Sequence, residues 1–393
     1  MNQNQDLVQS GHHHAGSPLI KIMIVCTVPT DRSGIPAVIF NLLTHMDLSG
    51  LDITYVSINT PDIHFIQLMN SLGIRYIVIP RELRRPMRYV RKLASAGKGF
   101  DIIHVHGNSA TMLLEMTAAK MAGIPVRIAH AHSTSCNMHM IDKLARPLFY
   151  RLCTHRIACS DAAGRFLYRQ RTFYIVKNAV DASRFAFDAD KRLSMRQRLD
   201  LSNRVVFGHV GNFVDAKNHL FLLDIFDAIA KKIKNATLLL VGDGNLKSQI
   251  IEKINRLNIS GNVILTGSVD NPQDYLQAMD MILMPSLYEG MPLSMIEQQA
   301  NGLSILASDI ITPQINISGN VHFESLKSSP AKWSDKAIAI LKSSDRSSDI
   351  SNEEIITIKR HGFDLNDVAA NLKDFYMNTI KSLSVISSKS FRP

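Results

Sequence analysis

Two carboxylates set eight residues apart bracket the run Glu289-Gly290-Met291-Pro292-Leu293-Ser294-Met295-Ile296-Glu297. The apolar stretch Met281–Met284 and the turn Pro285-Ser286 precede it. A carboxylate at a strand end, then glycine and proline, then a helix, exposes several backbone N–H groups, and these together with the helix dipole suit an anion. Glu297 falls in the body of that helix, so the pair can accept hydrogen bonds from two sets of sugar hydroxyls. A helix start carrying two helpful acids accounts for the same run. Lys217 follows two glycines in Gly208-His209-Val210-Gly211-Asn212-Phe213-Val214-Asp215-Ala216-Lys217. The glycines permit close backbone approach and the lysine supplies a cation for phosphate; a solvated loop lysine is the plainer account. Neither this stretch nor Gly242-Asp243-Gly244 spells G-x-G-x-x-G, and there is no Walker A sequence.

Histidines alternate at two further places, His104 with His106 and His130 with His132, the second pair running into Ser133-Thr134-Ser135. Histidine at the carboxyl end of a strand can hydrogen-bond a substrate or stabilise developing charge, with one member of each pair expected to be structural. No carboxylate or cysteine sits at ligand spacing beside them, so no metal is expected. Asp188-Ala189-Asp190 spells a metal-holding Asp-x-Asp, but it lies in the polar stretch 176–200, read as a linker, where it is expected to be solvated.

These residues need a scaffold. The chain has 393 residues, enough for two domains, and 46% hydrophobic with 20% charged residues excludes a disordered or fibrous protein. Four cysteines make no disulfide scaffold; Cys26 and Cys153, in apolar stretches, read as buried free thiols in a reducing compartment. No apolar run reaches the roughly 18–20 residues that span a bilayer. Residues 1–19, with His12-His13-His14, read as a flexible leader without the apolar core of a secretory signal. The net charge of +10 favours an anionic partner. Nucleic acid is disfavoured because no known binding module accompanies the basic runs. One of these runs, Arg81, Arg84, Arg85, Arg88, Arg91, Lys92 and Lys98, has an apolar stripe in Met87, Val90 and Leu93, which suits either an anionic membrane surface or a solvated helix face. A second set, Arg146, Arg151 and Arg156, flanks Pro147-Leu148-Phe149-Tyr150.

Strand-like runs at 20–25, 53–58, 76–79, 102–105 and 126–130 alternate with helical spacing at 35–46, 64–72, 86–96 and 110–121. The pattern restarts with strands at 205–211, 236–242, 263–266, 281–284 and 304–307 and helices at 220–233, 247–257 and 293–301. Such alternation predicts parallel sheets covered on both faces, here two doubly wound α/β domains with ligands beyond the carboxyl ends of their strands. Segments 327–330 and 343–351 read as surface loops, and 363–384 as one amphipathic helix.

Together these features resemble the GT-B-fold, family 4 retaining glycosyltransferases of the bacterial capsule and exopolysaccharide type. The resemblance runs over about 20–384. Its most specific element is the Glu-x7-Glu motif from Glu289 to Glu297, supported by the Gly34 loop, Asp101-Ile-Ile-His-Val-His106, Arg127-Ile-Ala-His-Ala-His132, Asn178-Ala-Val-Asp181 and Leu239-Leu-Val-Gly-Asp-Gly244. It implies two Rossmann-like domains facing across a cleft, an acceptor domain over 20–180 and a nucleotide-sugar domain over 181–362. The segment 363–393 would return to the first domain. It also implies roles. Glu289 contacts the donor sugar, the backbone of Gly290, Met291, Pro292 and Leu293 approaches sugar and diphosphate, and Glu297 holds the ribose. Lys217 neutralises the departing diphosphate beside Gly211 and Asn212. His132 lies near the transferred sugar, Gly34 lets its loop approach the donor, and His104, His106 and His130 belong to the acceptor side. The donor is expected to be a UDP-sugar and the acceptor a glycan or polyprenyl-diphosphate-linked glycan. Reaction by front-face attack with retention is expected, with no metal or other cofactor. The location is expected to be cytoplasmic, peripheral on the inner face of the plasma membrane. A sugar-nucleotide epimerase and a non-catalytic partner protein remain as alternatives. One position departs from the family, which usually has arginine where this chain has Asn212. The lost charge-assisted hydrogen bond is worth on the order of 1.5–3 kcal/mol unless His209 or Lys247 compensates.

Overall fold

The computed structural model describes residues 19–31, 34–82, 84–136, 138–289 and 291–389, with side chains as far as Leu383. The leader residues 1–18 and Gly290 lie outside the described residues. The chain divides into two units, one holding residues up to Val176 together with those from Ala370 onward, the other Lys177–Ala369.

The first unit is a parallel sheet of β1 (Ile20–Cys26), β2 (Leu51–Ser57), β3 (Arg75–Val78), β4 (Ile102–Gly107), β5 (Val126–Ala131), β6 (His155–Ala158) and β7 (Tyr174–Ile175), in the order β3-β2-β1-β4-β5-β6-β7. β1 is buried at every position but Lys21, and β4 at every position, the continuous apolar run of strands covered on both faces. Strand order reverses between β1 and β4, where Thr27 donates from its N–H and its hydroxyl to the His106 carbonyl. Register sets His106 beside both Cys26 and His130. The last helix, Leu365–Lys389, starts in the second unit and from Ala370 onward belongs to the first, where Tyr376 is buried.

The second unit repeats the plan with β8 (Val205–Val210), β9 (Ala236–Val241), β10 (Val263–Leu265), β11 (Met281–Met284), β12 (Ser304–Ser308) and β13 (Val321–Glu324), ordered β10-β9-β8-β11-β12-β13 and parallel throughout. Here the order reverses between β8 and β11. A doubly wound sheet opens its ligand crevice at such a reversal, beyond the carboxyl ends of the two strands. Lys217 lies beyond the end of β8, and Glu289 beyond the end of β11.

Several segments depart from the expectation. The stretch read as a linker contains the 3-10 turn Ala182–Phe185 and the helix Ala189–Arg198. Asp188 caps that helix, its side chain accepting from the Lys191 N–H, so the Asp-x-Asp pattern is a helix start. Arg192 and Arg196 of this helix bind Asp280, which makes it part of the second unit's base. Likewise, much of the Ser- and Asp-rich segment read as a loop forms the start of the helix Ser348–Arg360, capped by the Ser347 hydroxyl. The strands β6, β7 and β13 and the helices His139–Leu152, Asp161–Tyr168 and Pro330–Ser343 carry too little continuous apolar pattern to stand out in the sequence. Cys26 and Cys153 are buried free thiols, and burial pushes their pKa values up to about 11 and about 12.

Candidate functional site

The crevice of the second unit is built from two loops that hold each other. After β8 the chain turns through Gly211 and Asn212 to the short 3-10 turn Asp215–Lys217, and Asn218 follows in the left-handed region at φ 56°. Asparagine tolerates that conformation. Here its side chain also donates to the Pro285 carbonyl at 3.0 Å, while the Leu287 N–H donates to the Ala216 carbonyl at 2.8 Å. These two bonds clamp the β8 loop to the β11 loop. Across the clamp Lys217 Nζ donates to Glu289 Oε1 at 2.5 Å, with the two side chains 17% and 13% exposed. A cation and an anion are thus held together, close to fully desolvated, at the place where the sheet reverses.

Beyond Glu289, Met291 and Leu293 are half-buried and Pro292 is buried. Pro292 caps the helix Leu293–Ala300, whose first amides have no helical acceptor. Glu297 lies on this helix with its carboxyl pKa raised to about 7, because burial disfavours the charge more than Arg184 favours it. A carboxylate so placed gains by meeting hydroxyl donors.

Two glycines to which the sequence assigned no role bear on this site. A Cβ on Gly242, which has φ 147°, would lie 2.1 Å from the Gly211 carbonyl oxygen, and one on Gly244 would lie 2.5 Å from the Phe213 carbonyl oxygen. The loop after β9 therefore packs backbone to backbone on the Gly211 turn, with the Phe213 N–H bonded to the Asp243 carbonyl at 2.8 Å. The signal in the sequence was their position directly after a strand.

The residues suggested to replace the missing arginine do not supply its charge freely. Asn212 is exposed. His209 is fully buried and its Nδ1 donates to the Leu283 carbonyl at 2.9 Å. Its Nε2 is then an unprotonated acceptor, and burial lowers its pKa to about 4, so it carries no charge near neutrality. Lys247 is paired with Asp243 at 2.7 Å.

In the first unit, His104, His106 and His130 are 0–2% exposed and His132 is half-buried just past β5. The Tyr376 hydroxyl meets His104 Nδ1 at 2.6 Å, and His104 Nε2 meets His130 Nδ1 at 3.2 Å. Separately, His106 Nδ1 meets His132 Nε2 at 2.9 Å. Burial holds all four imidazoles neutral, with His104 and His132 at about 3. His104, His106 and His130 are core side chains of this unit, and His106 holds the half-buried His132 by that hydrogen bond. Nitrogens of His104, His106 and His130 lie within 4.8 Å of one another, and His104, with both of its nitrogens bonded, could join in holding an ion only by giving up one of those bonds. A Cβ on Gly34, which has φ 60°, would have nothing within 4 Å of it, so backbone conformation rather than crowding calls for glycine there.

The basic segment also divides. Arg81 is buried against Glu115 at 2.8 Å, and Arg88 and Lys92 lie 3.7 and 3.8 Å from Glu82. The larger apolar exposure is on the helix His139–Leu152, where Met140, Ile141, Leu144 and Leu148 are 49–77% exposed while Asp142, Arg146 and Phe149 face inward. No helix among the described residues is long and apolar enough to cross a membrane.

Comparison with known proteins bears on these two sheets in turn. Residues 32–184 match the family described as Glycosyltransferase Family 4, and residues 204–343 match Glycosyl transferases group 1. The putative glycosyltransferase EpsF of Bacillus subtilis (strain 168) is 31% identical over 304 residues, covering 73% of this chain and 78% of that protein. The UDP-Gal:alpha-D-GlcNAc-diphosphoundecaprenol alpha-1,3-galactosyltransferase of Escherichia coli is 28% identical over 226 residues, covering 54% of this chain and 58% of that protein. Among solved structures, Anabaena HepE in complex with UDP superposes with a TM-score of 0.74 at 17% identity, covering 93% of this chain and 100% of HepE, a likeness of fold. With both sheets matched in order and EpsF aligned over most of its length, this chain belongs to the family 4 glycosyltransferases and has their GT-B fold.

Proposed function

We propose that the protein transfers a sugar from a UDP-sugar to a lipid-linked or free glycan, with retention at the anomeric carbon and without a metal ion. The observation that carries this reading is the Lys217–Glu289 pair at the sheet reversal. Each side chain neutralises the other, and each can exchange that contact for one to a ligand. A nucleotide-sugar brings a diphosphate for the lysine and hydroxyls for the carboxylate, so it replaces one contact with two. Glu297 accepts from the ribose hydroxyls, and the amides after Pro292 face the diphosphate. A UDP donor and a diphosphoundecaprenol acceptor are named for the Escherichia coli relative, which supports the same classes here.

In the reaction the bond from the anomeric carbon to the diphosphate oxygen breaks, and positive charge grows on the sugar. Lys217 and the helix-start amides stabilise the diphosphate as its charge develops. The acceptor hydroxyl oxygen bonds the anomeric carbon from the face the diphosphate leaves, and its proton passes to a leaving phosphate oxygen. No carboxylate is required as a nucleophile, and the diphosphate charge is met by protein groups in place of a divalent ion. His132, neutral and oriented by His106, serves the transferred sugar as a hydrogen-bonding group. The exposed apolar row on the helix His139–Leu152, with Lys143 and Arg151 exposed beside it, docks on an anionic membrane surface and brings the enzyme to a lipid-linked acceptor.

In titration calorimetry Lys217→Ala weakens UDP binding by about tenfold to a hundredfold, the range of a lost charge-assisted hydrogen bond. Glu289→Gln, by freeing the lysine, binds UDP at least as tightly as the wild type yet loses transfer. Wild-type UDP affinity in Lys217→Ala would contradict the donor site.

With Glu297 raised to about 7, its carboxylate is complete only above that pH, so affinity for a UDP-sugar rises between about pH 6 and about pH 8. The rise flattens in Glu297→Gln. In the ligand-free protein the sign is opposite: a raised carboxyl pKa stabilises the fold below the ordinary carboxyl range, and that stability is lost as pH rises through about 7. Glu297→Gln reduces this loss, read as the urea midpoint against pH.

Flotation with vesicles containing anionic lipid recovers the wild type and not an Ile141→Glu/Leu144→Glu variant. Equal flotation with neutral vesicles, or no change in the variant, would rule out this docking face.

A further inference from the structure

At the amino ends of the second sheet's central strands, away from the donor loops, four arginines and one carboxylate line a single cavity. Arg192 and Arg196, from the helix Ala189–Arg198, both bind Asp280, the residue just before β11. Asp280 is already an acceptor for the Val206 N–H at 2.7 Å. Arg346 adds a third guanidinium, bonded to the Met279 and Leu276 carbonyls at 2.5 and 3.1 Å and lying 4.4 Å over the Phe187 ring. Arg204 is the fourth, and its guanidinium has no hydrogen bond or ion pair among the described residues. These side chains line a cavity of about 340 Å³.

The carbonyl contacts explain part of the cluster. Arg192, Arg196 and Arg346 satisfy the last carbonyls of the helix Pro272–Ala278, which need donors. They do not balance the charge, because carbonyls carry only partial negative charge and Asp280 is shared. The adjacent Asp345 uses a carboxylate oxygen on the Arg346 backbone N–H. Crowded, partly desolvated cations are costly unless an anion joins them, and the guanidinium fork matches the oxygens of phosphate as it does those of a carboxylate. The depressed pKa of Arg346, lowered to about 9 by burial and by its two arginine neighbours, agrees with a site short of negative charge.

We propose that this cavity binds the phosphate group of a small phosphorylated molecule, separately from the nucleotide-sugar. Arg204 and the outward N–H groups of Arg192 and Arg196 are its donors, and the remaining volume takes the organic part. The two sites sit at opposite ends of the same strands: β8 begins at Val205, in the cavity wall, and runs toward the Lys217 loop, six residues and about 20 Å away. Occupancy here therefore bears on β8 and β11 without competing for the donor.

The test uses the full chain carrying Lys217→Ala, so that phosphate binding at the donor loops is suppressed. Pyrophosphate, inorganic phosphate and a hexose 1-phosphate are titrated while the thermal midpoint is followed, with sodium chloride at matched ionic strength as reference. The expected result is a saturable rise with the phosphates beyond the chloride response. Adding Arg204→Gln or Arg192→Gln moves half-saturation upward by about tenfold or more. Tighter binding of the hexose 1-phosphate than of inorganic phosphate assigns the cavity to a phosphorylated metabolite, and equal binding assigns it to phosphate itself. Because Arg204 has no partner to lose among the described residues, its variant folds as the parent does. A response matched by chloride, or half-saturation unchanged in both arginine variants, overturns the proposal.

Discussion

The contact between Lys217 and Glu289 sets what the second unit must be. Two opposite charges held at 2.5 Å in a nearly desolvated crevice are stable only where both loops are fixed, because an unpaired buried charge costs several kcal/mol. The fixing is visible at several levels. β8 and β11 are neighbours only because the strand order reverses there. Asn218 in its left-handed conformation and the Leu287 amide join the two loops. Ser308, at the end of the next strand, donates its hydroxyl to the Ser286 carbonyl and supports the β11 loop from behind. Gly242 and Gly244 let the third loop press on the first with no side chain between. The pair thus stands on a preorganised frame of backbone and side-chain bonds.

Burial does different work in the two units. In the first it strips charge from four imidazoles and leaves a hydrogen-bonded array, tied at one end to Tyr376 of the final helix. Those histidines gain geometry and give up titration near neutral pH. In the second, burial raises Glu297 toward neutrality on the helix that follows the Glu289 loop. His209 follows the first pattern within the second unit: buried, neutral and committed to the Leu283 carbonyl, it supports the Gly211 turn without offering a cation. With Asn212 uncharged and His209 neutral, the proposed donor site would meet the phosphate charge with Lys217 and the amides of the helix start.

The architecture was legible where pattern and physics coincide. β1, β4, β8, β9 and β11 are runs of apolar residues ended by glycine or polar turns, and from them the parallel sheets and the position of Glu289 and Lys217 beyond the strand ends follow. Harder to see were elements whose signal is a single cap. The helices starting at Ala189 and Ser348 open in polar sequence, and Asp188 and Ser347 mark them only once the caps are recognised. The pairing of Lys217 with Glu289 was not legible, since the residues are far apart in sequence and each reads separately as a ligand contact. Nor was the inward turn of His104, His106 and His130, because alternation puts them on one face without saying whether that face is covered; Tyr376, distant in sequence, covers it. Arg81 shows the same limit, reading as surface charge yet buried against Glu115.

The most direct test is a structure of the chain with a UDP-sugar bound, refined well enough to place the Lys217 and Glu289 side chains. The expected result is an opened 2.5 Å contact, with Lys217 Nζ on a diphosphate oxygen and Glu289 accepting from sugar hydroxyls. A complex in which the donor is bound while Lys217 and Glu289 stay paired and touch no part of it would contradict the account.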